Sequence, residues 1–200
     1  MKAKITTAEA FAFNAKNKAW ADGQIAKYPE GRQQSAVMPL LTCAQEQHGG
    51  WLTIPAIEYV ADYLDMQVMR VMEVATFYSM YRLKPVGKHV IEICTTTPCW
   101  LRGSDDVVSA AEKALDIKMG ETTADGEFTL LEVECAGACV NAPVAAIHKQ
   151  YYEDLTASSM ESIIAELKAG KTPKAGPQID RVTSAPKGEI TTLQSTEGGK

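Results

Sequence analysis

Four of the five cysteines fall in two tight pairs, Cys94-x4-Cys99 and Cys135-x3-Cys139, and a fold that serves them has to bring both pairs to one place. Four thiolates converging in two pairs satisfy a tetrahedral zinc or a 2Fe-2S cluster, since both take four deprotonated sulfurs. Two disulfides are the other outcome, and they suit a short secreted chain with too little core. Here there are 200 residues, an odd cysteine, Cys43, and no charged, then apolar, then small-residue leader at Met1, so the disulfide reading is set aside. Zinc accepts closely spaced ligand pairs, so spacing alone leaves zinc against iron-sulfur open.

The residues between the ligands bear on that choice. An iron-sulfur cluster held by four thiolates is an anion, so its surroundings must offer hydrogen-bond donors to the sulfurs. Thr95, Thr96 and Thr97 supply hydroxyls and backbone N–H groups within the first pair. Ala136, Gly137 and Ala138 keep the second loop slim enough for its backbone to approach a cluster, and Pro98 removes one donor but stiffens its turn. Zinc accepts the same loops, although the long gap from Cys99 to Cys135 is unlike a compact zinc ribbon.

Composition narrows the function classes. A hydrophobic content of 46% is enough for a real core, and no apolar run is long enough to span a membrane. The net charge of −5 and the lack of a Lys/Arg stripe argue against a nucleic-acid partner, because phosphate contact asks for a basic surface.

The hydrophobic period changes near Gly87. Upstream it is helical, predicting helices over about 14–26, 35–47, 55–64 and 66–78, the second with Val37, Leu40, Leu41 and Ala44 on one face and ending at Gly49-Gly50. Downstream, Lys88 to Ile93 alternates as a strand that delivers Cys94, Ser104 is expected to cap a helix through Leu115, and Phe128 to Val133 reads as a strand delivering Cys135. Strand, helix, strand implies a right-handed parallel crossover with both cysteine loops at the carboxyl ends of neighbouring strands. A hairpin over 144–152 and a helix over 158–169 complete a thioredoxin-like layout that lacks the usual Cys-x-x-Cys. The expected fold is therefore α+β: an N-terminal four-helix bundle (1–86), a thioredoxin-like α/β domain carrying the metal site (87–169), and an extended C-terminal tail (170–200). Three prolines and five glycines from Gly170 onward give the tail no core of its own. The tail reads either as a loose end or, through Ile179, Val182, Ile190 and Leu193 spaced along it, as a segment that docks onto a partner. Deleting 171–200 is expected to spare the metal site.

Lys27-Tyr-Pro-Glu-Gly-Arg-Gln-Gln-Ser-Ala-Val, Gly49-Gly-Trp, Val71-Met-Glu-Val-Ala-Thr-Phe-Tyr, Cys94-Thr-Thr-Thr-Pro-Cys99 and Glu134-Cys-Ala-Gly-Ala-Cys-Val-Asn-Ala-Pro143 together resemble the small thioredoxin-like 2Fe-2S subunit of respiratory complex I, the NADH:quinone oxidoreductase. The resemblance spans about residues 11 to 193. It implies that Cys94, Cys99, Cys135 and Cys139 ligate one 2Fe-2S cluster. It further implies pairing with the flavin-bearing NADH-binding subunit and, with it, the large iron-sulfur subunit. The cluster then exchanges an electron with FMN, off the main path to quinone, and limits the lifetime of a flavin radical. The chain is then part of an enzyme of the translocase class, in a peripheral arm on the cytoplasmic side of a bacterial inner membrane, or in the mitochondrial matrix if processed. No Gly-x-Gly-x-x-Gly, phosphate loop or nucleophile triad is present, so FMN and NADH belong to the partner.

Two alternatives stand beside this: the equivalent subunit of a soluble NAD-linked hydrogenase or formate dehydrogenase, and a structural zinc module. The tail's Gly-Lys-Thr-Pro-Lys-Ala-Gly-Pro-Gln stretch favours complex I over the first. Cys43, beside Leu40 and Ala44, reads as a core thiol. His48, His89 and His148 lack metal spacing and read as surface, strand or turn residues. The methionines at 66, 69, 72 and 80 read as gap-filling core, while Trp100 and Arg102, beside Cys99, read equally as a shield for a cluster with a cation to steady its charge and as a packing tryptophan with a solvated arginine.

Overall fold

The computed structural model describes residues 10–186, which fall into two compact units divided between Val86 and Gly87. The first is helical. Helix α1 (Ala15–Ile25) starts where the Asn14 side chain accepts a hydrogen bond from the Asn17 N–H at 2.9 Å. A 3-10 turn (Gln33–Ala36) leads into α2 (Val37–Gln47), which buries Leu40, Leu41 and Ala44 as the period predicts. Helix α3 (Ile54–Tyr63) is capped by Thr53 with Pro55 in its first turn, where a missing N–H costs nothing. Helix α4 (Val68–Phe77) buries Val71 and Ala75. Leu40, Leu41, Leu52, Ile57, Val60 and Val71 form the centre of this core, each side chain contributing about 1.5–3 kcal/mol by leaving water. Cys43 packs against it from a half-buried position.

The second unit is built on a five-stranded sheet of order β2-β1-β3-β4-β5. Strands β1 (His89–Cys94) and β2 (Phe128–Val133) run parallel, with His89 opposite Phe128 and Cys94 opposite Val133. Strands β3 (Ala145–Ile147) and β4 (Gln150–Glu153) form the expected antiparallel hairpin beside β1. A one-turn helix α5 (Thr97–Leu101) and then α6 (Ser104–Leu115) lie between β1 and β2, and α7 (Ala157–Lys168) follows β4, opened by a capping box of Thr156 and Ser159. Val107 and Ala111 of α6 and Met160, Ile163 and Ile164 of α7 share one core with Ile91, Ile93 and Leu130 of the sheet.

Two local expectations change. The Thr-Thr-Thr-Pro stretch is only half a loop, because Pro98 sits in the first turn of α5, where its fixed φ favours a helix. Ser104 is the first residue of α6 and not its cap. The cap position is Gly103, at φ 94°, because the chain must reverse sharply after α5, and the Ser104 hydroxyl is buried without a partner.

The C-terminal stretch also departs from a free-running tail. Strand β5 (Gly176–Pro177) pairs parallel with β4, and the Gln178 N–H donates to the Glu153 carbonyl at 2.9 Å, so described residues beyond 170 belong to this unit. Deleting 171–200 therefore removes part of the sheet. Ile179 is half-buried, Val182 is 71% exposed, and Ile190 and Leu193 lie outside the described residues.

Candidate metal centre

Register places the cysteines. Cys94 ends β1 opposite Val133, and two residues later the neighbouring parallel strand delivers Cys135, so the two loops leave the sheet side by side about 5 Å apart. Helix α5 turns Cys99 back toward Cys94. The Cys94 N–H donates to the Val144 carbonyl at 3.0 Å, which extends the β1–β3 pairing to the site itself. Cys94 and Cys99 are each 2% exposed, in a nest of Ala142, Val144, Val133, Ala136 and Ala138, whereas Cys135 and Cys139 face solvent. A short 3-10 turn (Cys139–Asn141) follows the second pair and runs into the cis Ala142–Pro143 peptide.

The sulfurs stand as two pairs. The Sγ atoms of Cys135 and Cys139 are 3.5 Å apart, and those of Cys94 and Cys99 are within hydrogen-bonding reach. Two pairs on neighbouring loops suit a dinuclear cluster, in which each iron takes two thiolates, and four thiolates also suit a tetrahedral zinc.

Thiol acidity follows the same pairing. Burial pushes the Cys99 thiol up to about 12, helped by its hydrogen bond to Cys94 and opposed by the Val144 N–H. Burial also works to raise Cys94, but the Thr96 hydroxyl, the N–H groups of Ala136 and Thr96, and Cys99 together hold it below the ordinary thiol value. In the exposed pair the Gly137 N–H, then Cys139 and Thr96, lower Cys135, while its hydrogen bond to Cys135, followed by burial, raises Cys139. Each pair thus sets a thiol lowered below the ordinary value beside one raised above it, and a metal that took both would displace their protons. The donors that favour thiolate here are those an anionic cluster requires, so the residues fit one.

Of the three threonines only Thr96 reaches sulfur, its hydroxyl 3.2 Å from Cys94 Sγ. The Thr95 hydroxyl instead donates to a Glu132 carboxylate oxygen on β2. Trp100 is 56% exposed, with its indole N–H donating to Asp105 at 3.1 Å, so it does not cover the sulfurs.

The histidines kept apart by sequence are not all apart in space. His89 Nδ1 and His148 Nε2 lie 2.7 Å from each other at the end of β1 remote from the cysteines. Burial, then the neighbouring His148, hold His89 below its usual value. A hairpin that turns back at 148–149 brings them together, a long-range pairing with no local signal. His48 packs edge-on to Trp51.

The family model for thioredoxin-like 2Fe-2S ferredoxin matches residues 21–168. The E subunit of the NADH-quinone oxidoreductase of Rickettsia bellii is 56% identical over 168 residues, 84% of this chain and 99% of that one. The corresponding E 1 subunit of Rhizobium meliloti is 52% identical over 191 residues, 94% of this chain and 69% of that one. Among solved structures, an NAD+-reducing nickel-iron hydrogenase in its air-oxidized state aligns with a TM-score of 0.57 at 22% identity, over 65% of this chain and 23% of the hydrogenase chain, a likeness of fold. The chain belongs to the thioredoxin-like 2Fe-2S ferredoxin family, alongside the E subunits of NADH-quinone oxidoreductase.

Proposed function

We propose that Cys94, Cys99, Cys135 and Cys139 ligate one 2Fe-2S cluster, and that the chain passes single electrons between it and a flavin held by the NADH-binding subunit of an NADH-quinone oxidoreductase. The observation that carries this reading is the pair of thiol pairs at the carboxyl ends of adjacent parallel strands, in a chain more than half identical to E subunits. When bound, the cluster supplies a one-electron carrier. The remaining work falls to the chain. The Thr96 hydroxyl and the N–H groups of Ala136, Gly137 and Val144 lower the cost of placing negative charge on sulfur. Burial of Cys94 and Cys99 keeps water from one side, and exposure of Cys135 and Cys139 leaves the other side as the entry for an electron.

Trp100 and Leu101, next to Cys99 in the chain, and Val140, next to Cys139, are exposed, the last two each 70%, and offer apolar surface suited to a protein partner. FMN and NADH are placed on that partner because this sequence has no fingerprint for either. The large iron-sulfur subunit completes the assembly, in a peripheral arm on the cytoplasmic side of the membrane. Among the described residues no helix is long and apolar enough to cross one. Residues beyond Pro186 are assigned to partner docking. High identity to E subunits favours this setting over a soluble hydrogenase, for which the likeness is of fold alone.

Adding NADH to the purified chain is expected to leave its visible spectrum unchanged. Adding NADH together with the flavin-bearing partner should bleach it within a few turnovers. Bleaching by NADH without the partner, or none with it, would overturn this assignment.

A further inference from the structure

The exposed cysteine pair sits on a loop that packs only Ala136 and Ala138 on the small core beneath it, and its distal side is fastened through buried polar groups from a remote part of the sequence. Arg181 Nη1 lies 3.0 Å from Asp154 Oδ1, and the two side chains are only 8% and 5% exposed. The same guanidinium donates from Nε to the Ala185 carbonyl at 2.8 Å and reaches the Val140 carbonyl, next to Cys139, at 3.5 Å. Asp154 in turn donates its N–H to the Asn141 carbonyl at 2.7 Å, from a left-handed φ of 53°. The Asn141 amide donates to Glu153 and to the Thr183 carbonyl, the latter at 3.0 Å. Residues 181–185 thus lie as a strap across the turn that carries Cys139. Taking two charges out of water costs about as much as their attraction returns, so a buried pair is a poor device for stability alone but a good one for fixing register.

We propose that Arg181, held by Asp154, is a positioning residue for the second cysteine pair: the strap sets the Cys139–Asn141 turn, and through it the geometry and retention of the cluster. This rests on the ligand assignment above. Outer groups that orient metal ligands typically govern affinity by about 10–100-fold.

The test uses the full chain as Arg181→Gln, as Arg181→Lys, and as Tyr152→Phe. Tyr152 donates to the Pro173 carbonyl at 3.3 Å and so anchors the same C-terminal stretch without touching the cysteine loop. Three quantities are read: thermal midpoint, iron release to a chelator, and the g-values of the dithionite-reduced chain by electron paramagnetic resonance. Arg181→Gln is expected to release iron at least about tenfold faster and to shift the g-values. Arg181→Lys, which keeps the charge but not the fork, should fall between it and the parent. Tyr152→Phe should lower the midpoint while leaving both cluster readouts at parental values. If the Arg181 variants lower the midpoint as Tyr152→Phe does, with iron release and g-values unchanged, the residue is a structural staple and the proposal falls. Should Arg181→Gln fail to fold, parental iron release and g-values in Arg181→Lys overturn it equally. A parent chain without iron would overturn the ligand assignment first, and the strap's role with it.

Discussion

Cys99→Ala is expected to give a colourless chain holding less than about one tenth of the parental iron, while Cys43→Ala keeps the full complement and the parental spectrum. Cys43 is half-buried in the helical unit and Cys99 buried in the other, so each loss removes one packed sulfur, and iron content rather than stability is the readout that isolates ligation. Cys99 is 2% exposed in an apolar nest, which leaves no solvent to fill a vacated coordination position. Its partner Cys94 also loses one of the hydrogen bonds that lower its thiol below the ordinary value. Cys43 packs against the helical core, and its truncation should cost about 1 kcal/mol, within the ordinary range for one partly buried side chain. Iron determination and the visible spectrum decide the matter. Equal retention or equal loss in the two variants would sink the ligand assignment.

Gly87→Ala is expected to destabilise the second unit by about 3 kcal/mol and lower its thermal midpoint by roughly 10 °C or more. A Cβ there would stand 2.7 Å from the Phe128 carbonyl carbon, 2.8 Å from the Phe128 nitrogen and 3.0 Å from the Glu127 carbonyl carbon. All three are backbone atoms, so no side-chain rotation relieves the clash. The Gly87 N–H also donates to Thr129 Oγ1 at 2.6 Å, which fixes the entry of β1 against β2, and parting these strands disturbs the register that brings Cys94 beside Cys135. Gly23 offers the opposite case. It lies inside α1 with nothing within 4 Å of where a methyl group would stand, so Gly23→Ala should raise stability by about 0.5–1 kcal/mol. Circular dichroism melts of both variants test the pair, and a Gly87→Ala midpoint within about 2 °C of the parent would show that the strand entry tolerates the displacement.

What the residues revealed in advance was what local pattern encodes. The apolar faces of α2, α3, α4 and α7, and the two strands that carry cysteines, each repeat at one period over several residues, and each formed within about two residues of its expected bounds. Helix α5 was hidden because Thr-Thr-Thr-Pro reads as a turn until Pro98 is placed in a first helical turn. The cap at Gly103 was hidden by a serine that would cap well if the preceding chain arrived extended. Strand β5 has two residues, too few for any period, and one of them is a proline. The Arg181–Asp154 pair spans 27 positions and the His89–His148 pair 59, so both exist only once the sheet has assembled. At the candidate metal centre, spacing singled out the four cysteines that the fold sets on neighbouring loops. The division of labour among the threonines was not, because Thr95 turns toward Glu132 only when β2 lies alongside.

Low-temperature electron paramagnetic resonance of the full chain, as isolated and after dithionite, with iron and zinc analysis of the same sample, tests the cluster most directly. A 2Fe-2S centre has paired spins when oxidised and one unpaired spin when reduced, so a signal that appears only with dithionite, from about two irons per chain, is the expected result. A colourless, silent chain carrying one zinc would contradict it and leave a structural module in its place.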